Sequence, residues 1–245
     1  MKKTILSLSA AFLVATSASN AAAFSTPDSP LSAPAFQDLV RDAGHILSFP
    51  AADQADSYGL VGFDAGLGYQ LGILDAGAEH WEALGGPSFW NQGYLRAVKG
   101  LPGDIDVGVM GGMRLFEEDY VVGGEVRWNF YGDGLVLPAI GARLAYTQTV
   151  DMELMSLRTF SAQAHISKSF LIITPYGGIG YTGAYGSPKA DVVVDSASAF
   201  ANLPHAWAGI QYTPFPFLSV TLQGQYALEA PPLFTLQLSA GLGGS

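Results

Sequence analysis

Two short runs of residues carry side chains that could do chemistry together. His165-Ile166-Ser167 places an imidazole two positions from a hydroxyl. In an extended strand these two side chains share one face, so the histidine could activate the serine for acyl transfer. Glu79-His80-Trp81-Glu82 places carboxylates beside an imidazole, and these groups supply oxygen and nitrogen ligands to metal ions. Neither run fixes a geometry alone, so its meaning depends on the elements that position it.

A third set of polar residues surrounds the segment 183–204. Asp191, Asp195 and His205 could meet the run at 79–82 if both segments lie at one end of the fold. The set has no paired aspartates and no Asp-x-His spacing, and solvated loop charges explain it better. Because the chain contains no cysteine, thiolate chemistry and thiolate metal sites are excluded. We therefore predict no catalytic residues, no metal ion and no cofactor.

The strongest pattern in the chain is an alternation of apolar residues with glycine or polar ones. In residues 58–71 the apolar side chains share one face of an extended strand, and glycine and polar residues share the other. One face suits hydrocarbon and the other suits water. Since only a closed ring of strands satisfies every backbone polar group of a sheet in lipid, the pattern predicts a transmembrane β-barrel.

The first residues have the three-part pattern of a secretory signal. Lys2 and Lys3 form the positive region, residues 5–15 form the apolar core, and Ala21-Ala22-Ala23 is a small-residue cleavage site. The apolar part is shorter than the roughly 20 residues of a spanning helix. We therefore expect residues 1–23 to be removed during export.

The composition agrees with a membrane location for the exported chain. Hydrophobic residues make up 49% and charged residues only 13%, whereas a soluble domain carries about 25% charged residues. The formal net charge of −10 argues against a basic surface that binds nucleic acid. The absence of cysteine fits a route through an oxidising periplasm.

The alternating pattern recurs about ten times along residues 57–245. The predicted fold is all-β: a transmembrane antiparallel up-and-down β-barrel of about ten strands, with twelve as the alternative, and a short N-terminal helix. One register is ambiguous, because Tyr94, Arg96 and Val98 share one face while Leu95 and Ala97 share the other. We predict strands near residues 58–71, 92–99, 104–115, 120–130, 135–147, 157–168, 171–182, 205–213, 217–228 and 233–242.

The predicted connections separate the two ends of the barrel. Short turns lie at one end, and both long loops, 72–91 and 183–204, lie at the other. Outer-membrane barrels have short periplasmic turns and longer external loops, with aromatic girdles at both interfaces. The predicted girdle residues are Tyr69, Tyr120, Tyr146, Tyr181, Tyr226, Trp128 and Phe130.

Residues 58–242 resemble the Gram-negative outer-membrane β-barrel proteins. The segment Thr174-Pro175-Tyr176-Gly177-Gly178-Ile179-Gly180-Tyr181 looks like the Pro-Tyr-x-Gly-x-Gly strand common in small members. The resemblance implies a location in the cell outer membrane, with outer-membrane lipid and the outer-membrane assembly machinery as partners. Such proteins usually end in an aromatic residue, whereas this chain ends Leu242-Gly243-Gly244-Ser245.

Two groups of outer-membrane enzymes carry related residues. The pair His165 and Ser167 is similar to the pair of the lipid A deacylases, which faces lipid beside a carboxylate. Here the predicted register turns both side chains toward the lumen. The omptin proteases place Asp and His residues at the outer rim of a ten-stranded barrel, with spacings that this chain lacks. We therefore predict that the protein is not an enzyme.

Residues 24–56 are predicted to form a periplasmic linker and a short amphipathic helix. Residues 25–34 are rich in Pro and Ser, and the apolar residues that follow recur with helical spacing. The helix could plug the lumen, pack at the periplasmic mouth, or give way to an extra strand near residues 45–49. As a plug it would direct four polar side chains at the barrel interior: Asp38, Arg41, Asp42 and His45.

Charged side chains of both signs point into the predicted barrel. A ten-stranded lumen is little wider than the eight-stranded lumen that side chains fill, so we expect these charges to pair and occlude the pore. A narrow channel for small solutes is the alternative function, and an envelope hydrolase is the third. The predicted network contains Asp64, Asp106, Arg114, Glu125, Arg127 and Arg143.

The predicted external loops carry more apolar surface than solvated loops need. Trp81, Phe89, Trp90 and Phe200 are the candidate recognition residues for an unidentified ligand. The alternative is that these loops fold back and close the barrel mouth. Taken together, the sequence predicts an outer-membrane barrel protein with a structural or binding role.

Overall fold

The structure, a computed structural model, describes residues 30–114, 119–134, 136–189, 192–193 and 197–243. The predicted signal, residues 1–23, lies outside this part of the chain. The helices are α1 (Ala33–Ile46) and α2 (Glu79–Glu82). The strands are β1 (Phe63–Ile73), β2 (Phe89–Leu101), β3 (Ile105–Arg114), β4 (Tyr120–Tyr131), β5 (Ala139–Val150), β6 (Met155–Ser167), β7 (Ile173–Pro188), β8 (Ala199–Phe215), β9 (Leu218–Ala227) and β10 (Leu233–Leu242).

All ten strands pair antiparallel in chain order, and β1 pairs with β10 to close the ring. Ring closure gives every strand two neighbours, so no strand edge is left with unpaired backbone groups. This confirms the predicted ten-stranded up-and-down barrel with a short N-terminal helix. The alternative of twelve strands is wrong for the described residues.

The outward face of the ring is a band of apolar side chains. Leu67, Val109, Leu144 and Leu222 are each more than half exposed on the isolated chain. In β1, β3, β5 and β9 the intervening residues point inward and are buried. An exposed apolar band this extensive is stable only against hydrocarbon, so the barrel spans a membrane and has the architecture of an outer-membrane protein.

The two ends of the barrel differ in the length of their connections. One end, which we call the outer end, has the longest ones, residues 74–88 and 189–198. The inner end has the shortest, residues 102–104 and 216–217. Much of the predicted loop 183–204 is strand instead, because β7 and β8 continue their pairing as far as Gly186 and Ala199.

Helix α1 lies inside the outer half of the lumen. Ser32 caps it by accepting a hydrogen bond from the Ala35 amide at 3.3 Å, and Pro34 occupies its first turn. Its apolar face packs against the inner faces of β7 and β8. Close approach is possible because β7 presents small residues there, Ala184 and Gly186. No helix within the described residues has the length and apolar character needed to cross a bilayer.

The segment that precedes β1 crosses the whole lumen. At the outer end the Leu31 amide donates to the Val192 carbonyl oxygen at 2.8 Å. At the inner end the Tyr58 amide donates to the Asp106 carboxylate at 3.1 Å. Residues 31–58, which we call the plug, therefore run from the outer to the inner end before β1 turns back.

The close packing of α1 against the barrel wall depends on Gly44. A Cβ atom at Gly44 would lie 2.3 Å from the Ala184 Cβ, so a larger side chain must displace the helix. We expect Gly44→Val to lower the free energy of unfolding by about 1–3 kcal/mol, the usual cost of overpacking. Denaturant unfolding in detergent, followed by tryptophan fluorescence, measures this change.

Gly111→Val is the matched control, because no atom lies within 4 Å of a Cβ built at Gly111. An equal decrease in the free energy of unfolding of both variants would contradict the proposed packing of α1 at Gly44.

Candidate functional site

The inner half of the lumen contains a continuous chain of buried ion pairs. It joins three carboxylates to three arginines, and its members come from the plug and from strands β2 to β5. We call it the ion-pair chain: Asp106, Arg127, Asp53, Arg96, Glu125 and Arg143.

Asp53 is the plug residue of the ion-pair chain. Its Oδ2 lies 2.7 Å from Arg127 Nη1 and 3.0 Å from Arg96 Nη2. The Tyr58 hydroxyl donates to the same carboxylate at 3.0 Å. Two arginines and one phenol therefore surround a carboxylate that is 5% exposed.

The remaining ion pairs extend from Asp53 in both directions along the barrel wall. Arg127 Nη2 lies 2.9 Å from Asp106 Oδ2, and Arg96 Nη2 lies 2.6 Å from Glu125 Oε1. Arg143 Nε lies 2.6 Å from Glu125 Oε2. Arg143 also donates to the Pro50 carbonyl oxygen of the plug at 2.5 Å. The charges alternate in sign along the chain, so each buried ion has a neighbour of opposite sign.

The plug residues of this site have shifted pKa values. Burial alone would raise the pKa of the Asp53 carboxyl, but Arg127 and Arg96 outweigh burial and lower it. Burial raises the pKa of the Tyr58 phenol well above its usual range, and the Asp53 charge adds to the effect. Asp53 is therefore an anion and Tyr58 a neutral donor near neutral pH.

Aromatic rings of the plug cover the arginines. The guanidinium carbon of Arg143 lies 5.0 Å from the centroid of the Phe49 ring, and that of Arg127 lies 5.2 Å from the Tyr58 ring. Such contacts are favourable because the ring face is electronegative. Further hydrogen bonds join the plug to the wall, including Asn129 to the Ala55 carbonyl oxygen at 2.7 Å.

The ion-pair chain overlaps the predicted network but differs in two members. Of the six predicted residues, the structure brings four together in this chain: Asp106, Glu125, Arg127 and Arg143. Asp64 forms none of these ion pairs, and its Oδ1 has no hydrogen-bond partner within the described residues. Arg114 lies near the outer end, 3.9 Å from Asp119.

Their places are taken by Asp53 and Arg96, which sequence reasoning missed. Arg96 lies in the strand whose register was ambiguous, and the pairing of β2 with β1 turns it inward. Asp53 lies in a segment without periodicity, so no pattern could orient it. The total of three charges of each sign is the same as in the predicted network.

The outer half of the lumen is closed by an apolar cluster. The α1 residues Phe36, Leu39 and Ile46 pack with Trp81 and Trp90, and all five are at most 2% exposed. This contradicts the assignment of Trp81 and Trp90 as candidate recognition residues and agrees with the alternative that this loop folds back to close the barrel mouth. The connection that carries Trp81 folds inward because α1 offers it an apolar surface.

The other two predicted recognition residues lie on strands. Phe89 begins β2 and is half-buried, whereas Phe200 on β8 faces outward and is 53% exposed. The predicted aromatic girdle residues also lie on strands. Tyr120, Tyr146, Tyr181, Tyr226, Trp128 and Phe130 are exposed on the outward face, and Tyr69 is half-buried there.

A polar contact fastens this outer cluster to the plug. Asp42 Oδ2 accepts a hydrogen bond from Trp81 Nε1 at 2.9 Å and lies 2.9 Å from His80 Nε2. The predicted plug residues Asp38 and Arg41 pair with each other at 2.7 Å. Asp42 therefore joins α1 to the connection between β1 and β2.

The remaining predicted plug residue, His45, is buried against the barrel wall. Its Nδ1 lies 3.5 Å from Gln225 Nε2, and its ring centroid lies 6.4 Å from that of His205. Burial lowers the pKa of His45 to about 4, and the neighbouring His205 also lowers it. His45 is therefore neutral at physiological pH.

The two runs that could do chemistry lie in different parts of the lumen and hydrogen-bond to the plug segment. His165 and Ser167 both face the lumen, and the Ser167 hydroxyl accepts a hydrogen bond from the Ala55 amide at 2.9 Å. Of the run at 79–82, Glu79 accepts a hydrogen bond from the Ser32 hydroxyl at 3.0 Å. Among the described residues no group of three or more His, Asp or Glu side chains could hold a metal ion.

The wall opposite the ion-pair chain is polar but uncharged. Its inward side chains come from β9 and β10, and several hydrogen-bond to one another or to tyrosines, such as Tyr94 to Gln237 at 3.0 Å. At the inner end a cavity of about 90 Å³ lies between this wall and the plug. The wall residues are Ser219, Thr221, Gln223, Gln225, Thr235, Gln237 and Ser239.

Comparison with known proteins gives structural matches only. No protein-family model and no curated protein matches the chain. An outer-membrane channel from Pseudomonas putida F1 is 10% identical, covering 79% of this chain and 99% of that chain with a TM-score of 0.49.

Two further matches are outer-membrane barrels as well. The N-terminal β-barrel domain of Pseudomonas aeruginosa OprF is 14% identical and covers 75% of this chain and 99% of its own, with a TM-score of 0.36. Ail, the attachment invasion locus protein of Yersinia pestis, is 14% identical and covers 74% and 96%, with a TM-score of 0.32. Likeness at this level concerns the barrel alone and does not identify an activity.

The burial of His45 predicts a loss of stability in mild acid. Below pH 6.5 the unfolded chain binds a proton at His45, whereas the folded protein does so only near pH 4. Stability is therefore present above pH 6.5 and is lost as the pH falls toward 4, by about 3 kcal/mol. Denaturant unfolding in detergent at several pH values measures the loss.

His45→Gln is the comparison protein, because glutamine does not titrate. The other titrating groups are common to both proteins, so the difference reports the titration of His45 together with its coupling to His205 and Asp42. A His45→Gln variant that loses as much stability as the native protein between pH 6.5 and 4 would contradict this assignment.

Proposed function

We propose that this protein is a closed outer-membrane barrel with a structural or binding role, and that its own plug occludes the lumen. The observation that carries the proposal is the burial of Asp53, a plug carboxylate, between Arg96 and Arg127 of the wall. Removing one partner of such a buried pair leaves an uncompensated charge and costs about 3–5 kcal/mol. The same cost opposes withdrawal of the plug.

Two different interactions hold the plug at its two ends. The outer half is held by the apolar cluster of α1 with Trp81 and Trp90. The inner half is held by ion pairs and by hydrogen bonds such as that from Arg143 to the Pro50 carbonyl oxygen. A solute would have to break both kinds of contact in order to cross. This combination supports occlusion over steady conduction.

A narrow channel for small solutes is the second candidate function. The uncharged polar wall of β9 and β10 favours it, because hydroxyl and amide side chains could line water if the plug moved. In this alternative the plug would be a gate that some stimulus releases.

An envelope hydrolase is the third candidate and has the least support. Ser167 is 3% exposed and is occupied by its hydrogen bond to the plug. His165 is likewise buried on the lumen side. Neither side chain faces the lipid that an acyl-transfer substrate would come from, which supports a role without catalysis.

Single-channel recording in planar bilayers tests the proposal. We expect the native protein to show no steady conductance. Asp53→Asn removes the plug charge while keeping the side-chain shape, so we expect transient openings from a loosened plug. Asp38→Asn is the matched control, because Asp38 lies on the same segment but pairs only near the outer rim; it should behave like the native protein.

A disulfide provides the reverse test. The native chain has no cysteine, and the Ala55 amide lies 2.9 Å from the Ser167 hydroxyl. Adding Ala55→Cys and Ser167→Cys to the Asp53→Asn protein should abolish the openings until a reductant is added. Steady conductance of the native protein would overturn occlusion and favour the channel.

A further inference from the structure

The outward face of β5 to β8 carries a polar and aromatic patch near the outer end. The pairing registers place Gln148, Arg158, Tyr185 and Phe200 side by side in one row across the four strands. All four side chains point away from the lumen, and Arg158, Tyr185 and Phe200 are exposed. The patch is therefore part of the surface that meets the surroundings of the barrel.

Arg158 is the unusual member of this patch. Most positions on the outward face of the barrel are apolar, yet this one carries a guanidinium group. Within the described residues Arg158 forms no ion pair, although the arginines that face the lumen do. An exposed cation that has no ion-pair partner in the part of the chain that the structure describes is available to an anion from outside.

The position of Arg158 along the barrel axis places it at the membrane interface. Below it on β6 the outward residues are Phe160, Ala162, Ala164 and Ile166, all apolar. The eight residue-to-residue steps from Ile166 to Arg158 span roughly 26 Å along the strand, or about 20 Å along the bilayer normal at a usual tilt. Because the apolar band of such barrels is about 25 Å tall, Arg158 lies at its outer edge, where lipid headgroups begin.

Polar side chains above and beside Arg158 add hydrogen-bonding capacity. Ser156 and Ser187 face each other in the next row outward, and Ser187 lies 3.1 Å from the Ser198 hydroxyl. The Tyr146 hydroxyl donates to Gln148 Oε1 at 3.0 Å, which leaves the amide nitrogen of Gln148 as a donor. The cation thus has hydroxyl and amide groups around it.

Aromatic rings flank the same position. Phe160 lies one row nearer the membrane centre, beside Tyr146, and Phe200 lies beside Tyr185. Aromatic side chains favour the membrane–water interface, where one side of the ring meets hydrocarbon and the other side meets hydrated headgroups. A ligand that fits this patch has an acyl part below, a phosphate at Arg158 and hydroxyl groups above.

We propose that this patch binds the phosphorylated sugar headgroup of lipid A in the outer leaflet, with Arg158 holding a phosphate. The planar guanidinium of arginine presents a fork of donors that matches phosphate. The net charge of the chain is −10, so attraction of an anionic lipid depends on a local cation rather than on the overall field. The site lies outside the lumen and does not depend on the plug.

Lipid retention tests the proposal. The full-length protein is reconstituted with lipid A in a phosphatidylcholine background, repurified, and examined for bound lipid A by native mass spectrometry. We expect Arg158→Gln to lower retention about fivefold, the usual effect of losing one cation at a charged membrane surface. Arg158→Lys keeps the charge but loses the fork, so its retention should be intermediate.

Lys99→Gln is the matched control, because Lys99 is an exposed outward cation near the inner end that donates to the Leu60 carbonyl oxygen. It should retain lipid A like the native protein, and heat-modifiable gel migration establishes that each variant is folded. Dephosphorylated lipid A should be retained no better by the native protein than by Arg158→Gln.

Three results would overturn the proposal. One is undiminished retention of lipid A by folded Arg158→Gln. Another is an equal loss in Lys99→Gln, which would mean that net charge alone acts. The third is displacement of the lipid by millimolar inorganic phosphate, which would identify a general phosphate site rather than a lipid site.

Discussion

The structure depends on one constraint, which is that no backbone polar group of a membrane-spanning sheet can be left without a partner in hydrocarbon. The pairing of β1 with β10 meets this constraint by removing the last two strand edges. Closure of ten strands then encloses a lumen wider than the barrel's own side chains fill. The plug, the ion-pair chain and the outer apolar cluster are all consequences of having to fill that space.

The plug has a different structure in the outer and inner halves of the lumen, because the inward side chains of the barrel wall are apolar in the outer half and charged in the inner half. The outer half offers Ala184, Leu203 and Leu233, and there the plug is an amphipathic helix with an apolar face. The inner half offers Arg96, Arg127 and Glu125, and there the plug is irregular, with several bends, and brings a carboxylate and carbonyl oxygens. Buried charges are tolerated when they are paired and hydrogen-bonded, so the balance of three anions and three cations is a condition of stability.

The sequence predicted the features that depend on a repeating pattern. A period of two orients inward and outward residues strand by strand, and this is why four members of the ion-pair chain could be named in advance. Arg96 was missed because the sequence of β2 has apolar residues on both faces of the strand. Only the pairing with β1 decides which face points inward. Asp53 was missed because its two arginine partners lie more than forty positions away along the chain, which no local pattern encodes. Burial of Trp81 depends in the same way on the distant apolar face of α1.

The path of the plug has a consequence for how the protein can be assembled. Residues 31–58 cross the lumen and lead directly into β1, while the partner that closes the ring, β10, is the last strand of the chain. If the ring closed first, the segment would have to be threaded through a finished cylinder. If β10 joins β1 last, the sheet curls around a segment that is already seated and no threading is needed. In this second order of events, the seam between β1 and β10 forms last and the cylinder closes around a plug that is already in place.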